Sequence, residues 1–462
     1  MSKTFVGIQI GAISFIDEGV EAVLDTLEQT AGVNALFISA LSWSYGNAGR
    51  AVYGFPDHGV QEKDHLQGGA FFRPNPAHYD ATFHKQFAAP DPLYQDFDAL
   101  ADVIPAAKRR GMKVYTYYCE TSSSGIRPVW QPGFIHMLDR DHWGRTATRP
   151  SLLNPHYRTW WKCVIDDWFS NHDLSGMLWG IERHSPLMDI CRGDGTTGFD
   201  AYYRAEARAR GIDVERAIAG YRTIDDLLTR VRQGERPRDG VFVTMLRALL
   251  HHPEVLMWEK MWLDSHLDMA HDIAGAIKFS DPKHEVGYGI WQIINTYNPY
   301  LKAQYNQSDY QHTADFLKPV LYHTPAGARF ASFADTWHKG LLADASPEGA
   351  YDALATVLGL NDFIAPRAEA AASGFRADYV RQWTQNLIAD TSGRCKVYPG
   401  IGVGVGDGGS SKAIDAQECY EGVQAAFAGG AAGVLLSRNY SEAELASLEA
   451  CGRALKDLGL WQ

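Results

Sequence analysis

The sequence predicts an α/β fold, a (β/α)8 TIM-type barrel with long insertions in the loops at the C-terminal face of the strands. Two observations carry that expectation. Eight short apolar runs alternate with helical patterns along the 462 residues. The runs are nearly continuous in apolar character, as parallel strands are when helices cover the sheet. Eight such alternations suit a closed barrel better than an open sheet.

The first run is Phe5–Ile10, followed by an amphipathic stretch through Thr30. The second, Ala35–Leu41, comes directly after the turn-like Gly32-Val33-Asn34. The third, Lys113–Cys119, follows a helical pattern over Tyr94–Arg110 that stops at Gly111. Asn154-Pro155 opens the helix Tyr157–Asn171, which leads into the fourth run, Gly176–Gly180. A long helix from Pro253 to Phe279 precedes the fifth, Glu285–Trp291. The sixth is Phe316–Tyr322, the seventh Lys396–Val403 and the eighth Gly433–Leu436. Pro319 and Pro399 weaken the sixth and seventh as strands, because proline removes a ladder donor.

Length alone, at about 150 residues per domain, suggests roughly three domains. The absence of repeats and low-complexity linkers favours one catalytic barrel over residues 1–462, with enlarged loops 42–91, 182–253 and 323–394. All three loops follow strand C-termini, the face on which such barrels carry their sites. The formal charge of −12 argues against nucleic acid and anionic membrane as partners. No signal peptide or membrane span is read from the chain, and its six scattered cysteines suit reduced thiols, so a cytoplasmic protein is expected. A homo-oligomer stays open.

The strand ends carry the candidate chemistry. Glu120 follows the third run and Glu182 the fourth. A carboxylate at such a tip faces a concave site where burial tunes its pKa. Glycoside hydrolysis needs two: one protonates the leaving oxygen and the other attacks the anomeric carbon or activates water. For Glu182 the competing reading is an ion pair with a barrel-mouth arginine. For Glu120 it is a structural carboxylate in the loop ETSSSG. Asp407, in GIGVGVGDGG, and Glu259, at the start of the helix before the fifth run, are substitutes for the second role. Glu259 competes with pairing to Lys260 or Lys278. The glycine-rich run lacks the Lys-Ser/Thr of a phosphate-binding loop and reads as a tight turn.

Aromatic residues, 12% of the chain, gather near the same ends with polar neighbours. Sugar rings stack their C–H faces on aromatic side chains, while their hydroxyls need directional partners. The expected substrate-binding set is Trp43, Tyr45, Tyr53, Asp57, His58, Trp179, Arg183, His184, Trp291, Gln292, Tyr322, His323 and Arg438. Packing of long loops onto the barrel is the competing account for each one. Glu120, Glu182, His184 and His323 could in principle ligate a divalent metal. The other strand ends offer Gln292, Gly404 and Arg438, an incomplete ring, so neither metal nor cofactor is expected. No nucleophile elbow occurs.

Several stretches together carry a resemblance: KRRGMKVYTYYCE, LLNPHYRTWWKCVIDDWFSNHDLSGMLWG, DFLKPVLYHTPAG and GVLLSRNYSEAELASLEACGRAL. From about Asp98 to Leu458 the chain resembles the hypothetical glycosyl hydrolase barrels related to the α-fucosidase and amylase-like superfamily. The resemblance implies a carbohydrate substrate and glycosidic-bond hydrolysis, with the acid of the fourth strand at Glu182 as nucleophile or proton donor. Of the cysteine-rich stretch frequent after that strand, only Cys191 stands here, and it implies no metal. The expected function is therefore a glycoside hydrolase using Glu182 with Glu120, Asp407 or Glu259. A sugar isomerase, epimerase or lyase using Glu182 and His323, and a non-catalytic carbohydrate-binding barrel, are the alternatives.

Overall fold

The computed structural model describes residues 4–42, 57–62, 69–85, 89, 92–121, 132–404 and 412–461. Eight parallel strands form its centre: β1 Phe5–Gly11, β2 Ala35–Ser39, β3 Lys113–Thr121, β4 Gly176–Glu182, β5 Glu285–Ile290, β6 Phe316–Pro319, β7 Lys396–Val397 with Gly400–Gly402, and β8 Gly433–Ser437. Their spatial order follows the chain. Phe5 of β1 stands opposite Gly433 of β8, so the last strand returns to the first.

Closure runs through the interrupted β7. Its first segment pairs with β6, Phe316 opposite Lys396, and its second with β8, Gly400 opposite Leu435. Pro399 sits at the break: it has no N–H to give, but its carbonyl accepts from the Leu435 amide at 3.0 Å. Pro319 likewise ends β6, and Val320 bridges to Gly400 beyond it.

Side chains alternate between the barrel interior and the helical layer. Phe37, Tyr115, Leu178, Phe316, Tyr398 and Leu435 point inward and, with Phe5, form a compact aromatic floor. Phe5 stacks on Tyr398 at 4.1 Å and Phe37 on Tyr115 at 4.6 Å between ring centroids. Glycine makes room for these rings: a Cβ on Gly287 would lie 2.1 Å from Phe316 Cζ. Beneath the floor, at the N-terminal end, Glu285 binds Lys113 at 2.6 Å, Lys396 at 3.1 Å and the Tyr115 hydroxyl at 2.5 Å.

The strands' other faces build the larger core under the helices, where Trp161 packs against Tyr118 and Trp179. Asn154 caps the helix Pro155–Asn171 by accepting from the His156 amide at 2.9 Å. The helix before β5 spans Glu254–Ser280. The helix expected over Tyr94–Arg110 is shorter, Ile104–Arg109 after a single turn at Pro92–Gln95. Between them the buried Asp98 carboxylate accepts from the amides of Arg73, Leu100 and Ala101, a local bonding pattern that competes with helix.

The insertion after β4 contributes helices Pro186–Arg192, Ala201–Ala209, Val214–Arg232 and Val241–His251, and the one after β6 contributes His323–His338, Pro347–Leu358 and Asp378–Asp390. Among the described residues, no helix is long and apolar enough to cross a membrane. All six cysteines are unpaired thiols.

Candidate active site at the barrel mouth

One step along each strand above the aromatic floor, the inward positions become polar. Phe316 gives way to Lys318 on β6, Leu435 to Ser437 on β8, and Tyr115 to Tyr117 and Cys119 on β3. Glu182 ends β4, with Gly180 before it. Gln9 of β1 ties this level together: its Oε1 accepts from Lys318 Nζ at 3.0 Å and from Ser437 Oγ at 2.6 Å. Lys318 Nζ also donates to Tyr322 Oη at 3.1 Å. Glycines leave the space for these groups, since a Cβ on Gly400 would meet Lys318 Cε at 2.6 Å.

Glu182 is the carboxylate of this cluster. Burial raises its pKa, opposed by a hydrogen bond from the Cys119 thiol and then by the charges of Lys318, Arg329 and Arg438. The Cys119 thiol is pushed far up by burial and by the Glu182 carboxylate it serves, which keeps it a neutral donor. Arg329 lies over the Tyr322 ring, 5.6 Å from its centroid, and donates to Gln292 Oε1 at 3.2 Å. Gln292 Nε2 in turn donates to the Tyr322 carbonyl at 3.2 Å. Arg438, just past β8, is held by Glu442, with 3.0 Å between Nε and Oε2. The structure thus brings Glu182, Gln292, Tyr322 and Arg438 together on one face.

Other expected residues stand elsewhere. Trp179 is 1% exposed and points into the helical layer against Trp161 and Tyr288, because Leu178 and Gly180 hold the inward positions. Arg183 is buried and donates to the Pro150 carbonyl at 2.6 Å. His184 packs on Trp291, ring centroids 4.9 Å apart; burial, then Arg192 and Arg149, hold its pKa well below the usual value. His323 opens the helix after β6 and is buried under the helix Ala416–Ala428, where a Cβ on Gly422 would meet its ring at 2.9 Å. Burial brings its pKa down to about 4.

Asp57 and His58 fasten the loop after β2. Asp57 accepts from the Leu445 amide at 3.0 Å. His58 joins Glu18 at 2.8 Å and the Ala443 carbonyl at 2.9 Å. Burial lowers the His58 pKa, but the Glu18 carboxylate outweighs it and the imidazole ends above its usual value.

Glu259 is 2% exposed and fully engaged. Its oxygens accept from the Tyr221 hydroxyl at 2.7 Å, the Leu187 amide at 2.9 Å, Gln304 Nε2 at 3.1 Å and the Tyr300 hydroxyl at 3.2 Å. Lys260 pairs with Asp264 and Lys278 with Asp315 instead. Glu259 therefore joins the loop after β4, through Leu187, to the loop after β5, through Tyr300 and Gln304.

Trp43, Tyr45, Tyr53 and Asp407 lie outside the described residues, as does the side chain of Glu120, whose backbone pairs with Ile181. Among the described residues, no group of three His, Cys, Asp or Glu side chains is placed to hold a metal ion.

Sequence reading had passed over Gln9, Cys119, Lys318, Arg329 and Ser437. The four strand-borne polar groups, Gln9, Cys119, Lys318 and Ser437, were open to detection, since a lysine or glutamine inside runs such as FLKPVLY and FVGIQI marks an inward position above the packed floor.

No family model matches the chain, and no curated protein sequence does. Among solved structures, the glycoside hydrolase domain of PgaB (BpsB) from Bordetella bronchiseptica superposes with a TM-score of 0.51 at 12% identity, over 99% of this chain and 98% of that one. Alpha-L-fucosidase isoenzyme 2 from Paenibacillus thiaminolyticus gives 0.49 at 14% identity, over 99% of this chain and 49% of that one. The chain thus spans about half the length of the fucosidase. The likeness to the PgaB domain is one of fold.

Proposed function

We propose that the protein is a glycoside hydrolase in which Glu182 protonates the leaving oxygen of a carbohydrate substrate. The observation that carries this reading is the position of Glu182: a carboxyl at the tip of β4, in the barrel mouth, with its pKa raised by burial. A general acid needs that shift to keep its proton near neutral pH. The activity of the PgaB domain, whose fold the chain shares, supports the same class. Glu120 and Asp407 are the candidates for the second carboxylate. Glu259 is assigned to holding the β4 and β5 loops, because four donors already occupy its oxygens. A separation from Glu182 of about 5–5.5 Å would make the partner a nucleophile, and about 6.5–9.5 Å a base for water.

The test is hydrolysis of a panel of activated aryl glycosides by the parent and by Glu182→Gln. The parent releases the phenol, and the variant loses about a thousandfold or more in kcat/KM while unfolding at a temperature no lower than the parent. Full activity in the variant would overturn the assignment.

A further inference from the structure

The barrel interior carries a charge that protonation of a leaving group does not use. Lys318 is 3% exposed, and both of its hydrogen-bond acceptors, Gln9 Oε1 and Tyr322 Oη, are neutral. An ammonium has three donors, so two acceptors leave one N–H to place, and burying a cation is costly without an anion to meet it. Tyr322 carries a second cation, since Lys318 Nζ at 5.3 Å and Arg329 at 5.6 Å both lie over its ring. Arg438 adds a third from the end of β8. Glu442 is bound to Arg438, and Glu182 lies within the field of all three cations. In a chain of net charge −12, this mouth gathers cations.

We infer that the mouth recognises a sugar bearing a carboxylate, a uronic acid, whose anionic group is received by Lys318 Nζ beside Tyr322. The inference rests on the proposed reading of the same site as carbohydrate-binding and names its substrate class. A carboxylate there completes the donor set of Lys318 and sits within the field of Arg329. A neutral sugar offers only a hydroxyl at that point, and a charge-assisted hydrogen bond is roughly twice as strong as a neutral one.

Binding of free monosaccharides tests this without turnover. Glucuronate, galacturonate and mannuronate are titrated calorimetrically into the parent protein against glucose, galactose and mannose, in low salt and in about 0.5 M NaCl. At least one uronate binds about tenfold or more tightly than its neutral counterpart, and salt narrows the gap. Lys318→Met erases the preference, and Lys318→Arg keeps part of it. Equal affinity for acidic and neutral sugars, no sugar bound, or an unchanged preference in Lys318→Met overturns the inference. The parent's own comparison decides the matter if the methionine variant fails to fold. Cleavage of neutral aryl glycosides without any uronate preference removes this inference and leaves the hydrolase reading. A Lys318-dependent uronate preference with no glycoside cleaved does the reverse.

Discussion

The two ends of the barrel interior hold the same residue types in opposite states. At the N-terminal end Glu285 meets Lys113, Lys396 and the Tyr115 hydroxyl directly, at 2.5–3.1 Å. At the C-terminal end Glu182 meets a thiol, while Lys318 bonds to neutral groups and acts on the carboxylate through its field. The aromatic floor separates the two. Burial raises the pKa of both carboxylates. At Glu285 the direct partners outweigh burial and bring the value to about 2, whereas at Glu182 burial prevails. A carboxylate whose donors are all in place stabilises the fold, and one left short of donors is suited to exchange a proton with a ligand.

The largest expected effect comes from crossing the two sites. Glu182→Gln costs about 10³-fold or more in turnover of a cleaved glycoside, and near neutral pH it raises the melting temperature, because the amide needs neither a buried charge nor a proton held above the usual carboxyl pKa. Glu285→Gln lowers the melting temperature and leaves kcat/KM per folded molecule unchanged. Thermal melts and steady-state rates on both variants check this, and a loss of activity in Glu285→Gln would break the division between the two ends.

The floor itself comes next. Gly287→Ala places a Cβ about 2.1 Å from the Phe316 ring, which is wholly buried among Phe37, Tyr115 and Tyr398 and has nowhere to move. Overpacking there costs about 3 kcal/mol in chemical denaturation, with no change in sugar binding by the folded protein. Glu259→Ala is expected to cost about 2–3 kcal/mol, since Tyr221, Tyr300, Gln304 and the Leu187 amide lose their acceptor. Because that acceptor joins the loops after β4 and β5, the variant also raises KM more than it lowers kcat. A purely structural role would leave KM in place.

The eight strands were legible because both faces of a barrel strand are buried, and a run such as ALFIS reads as apolar whichever face each residue takes. That same property hid the site. Counting residues beyond a strand end found Glu182, but only strict alternation shows that Trp179 faces the helices while Cys119 and Lys318 face the mouth. The helix over Tyr94–Arg110 was overextended because its apolar spacing is helical, and the competing Asp98 carboxylate is a matter of burial that spacing does not reveal. His323 and Arg183 follow strand ends yet turn into packing, His323 under the helix Ala416–Ala428 and Arg183 against the Pro150 carbonyl.

The smallest effect is the most direct measure of the difference between the two ends, because it reads both carboxylates by titration. The folded-state pKa of Glu285, about 2, lies below its unfolded value near 4.3. Its contribution is therefore complete above the unfolded value and is lost as pH falls through that range toward 2. Lys113 and Lys396 are about half exposed, which screens the pairing and reduces the contribution to about 1–2 kcal/mol. Glu182 has the opposite sign: its folded pKa is raised, so its proton stabilises the fold below the unfolded value, and that help disappears as pH rises through the folded value. In urea unfolding between pH 2.5 and 7, the parent's advantage over Glu285→Gln should then shrink toward the acid end. The advantage of Glu182→Gln over the parent should grow toward the neutral end. Parallel stability curves for either variant would mean that its carboxylate has the same pKa folded and unfolded, and the contrast between the two ends of the barrel would be lost at that site.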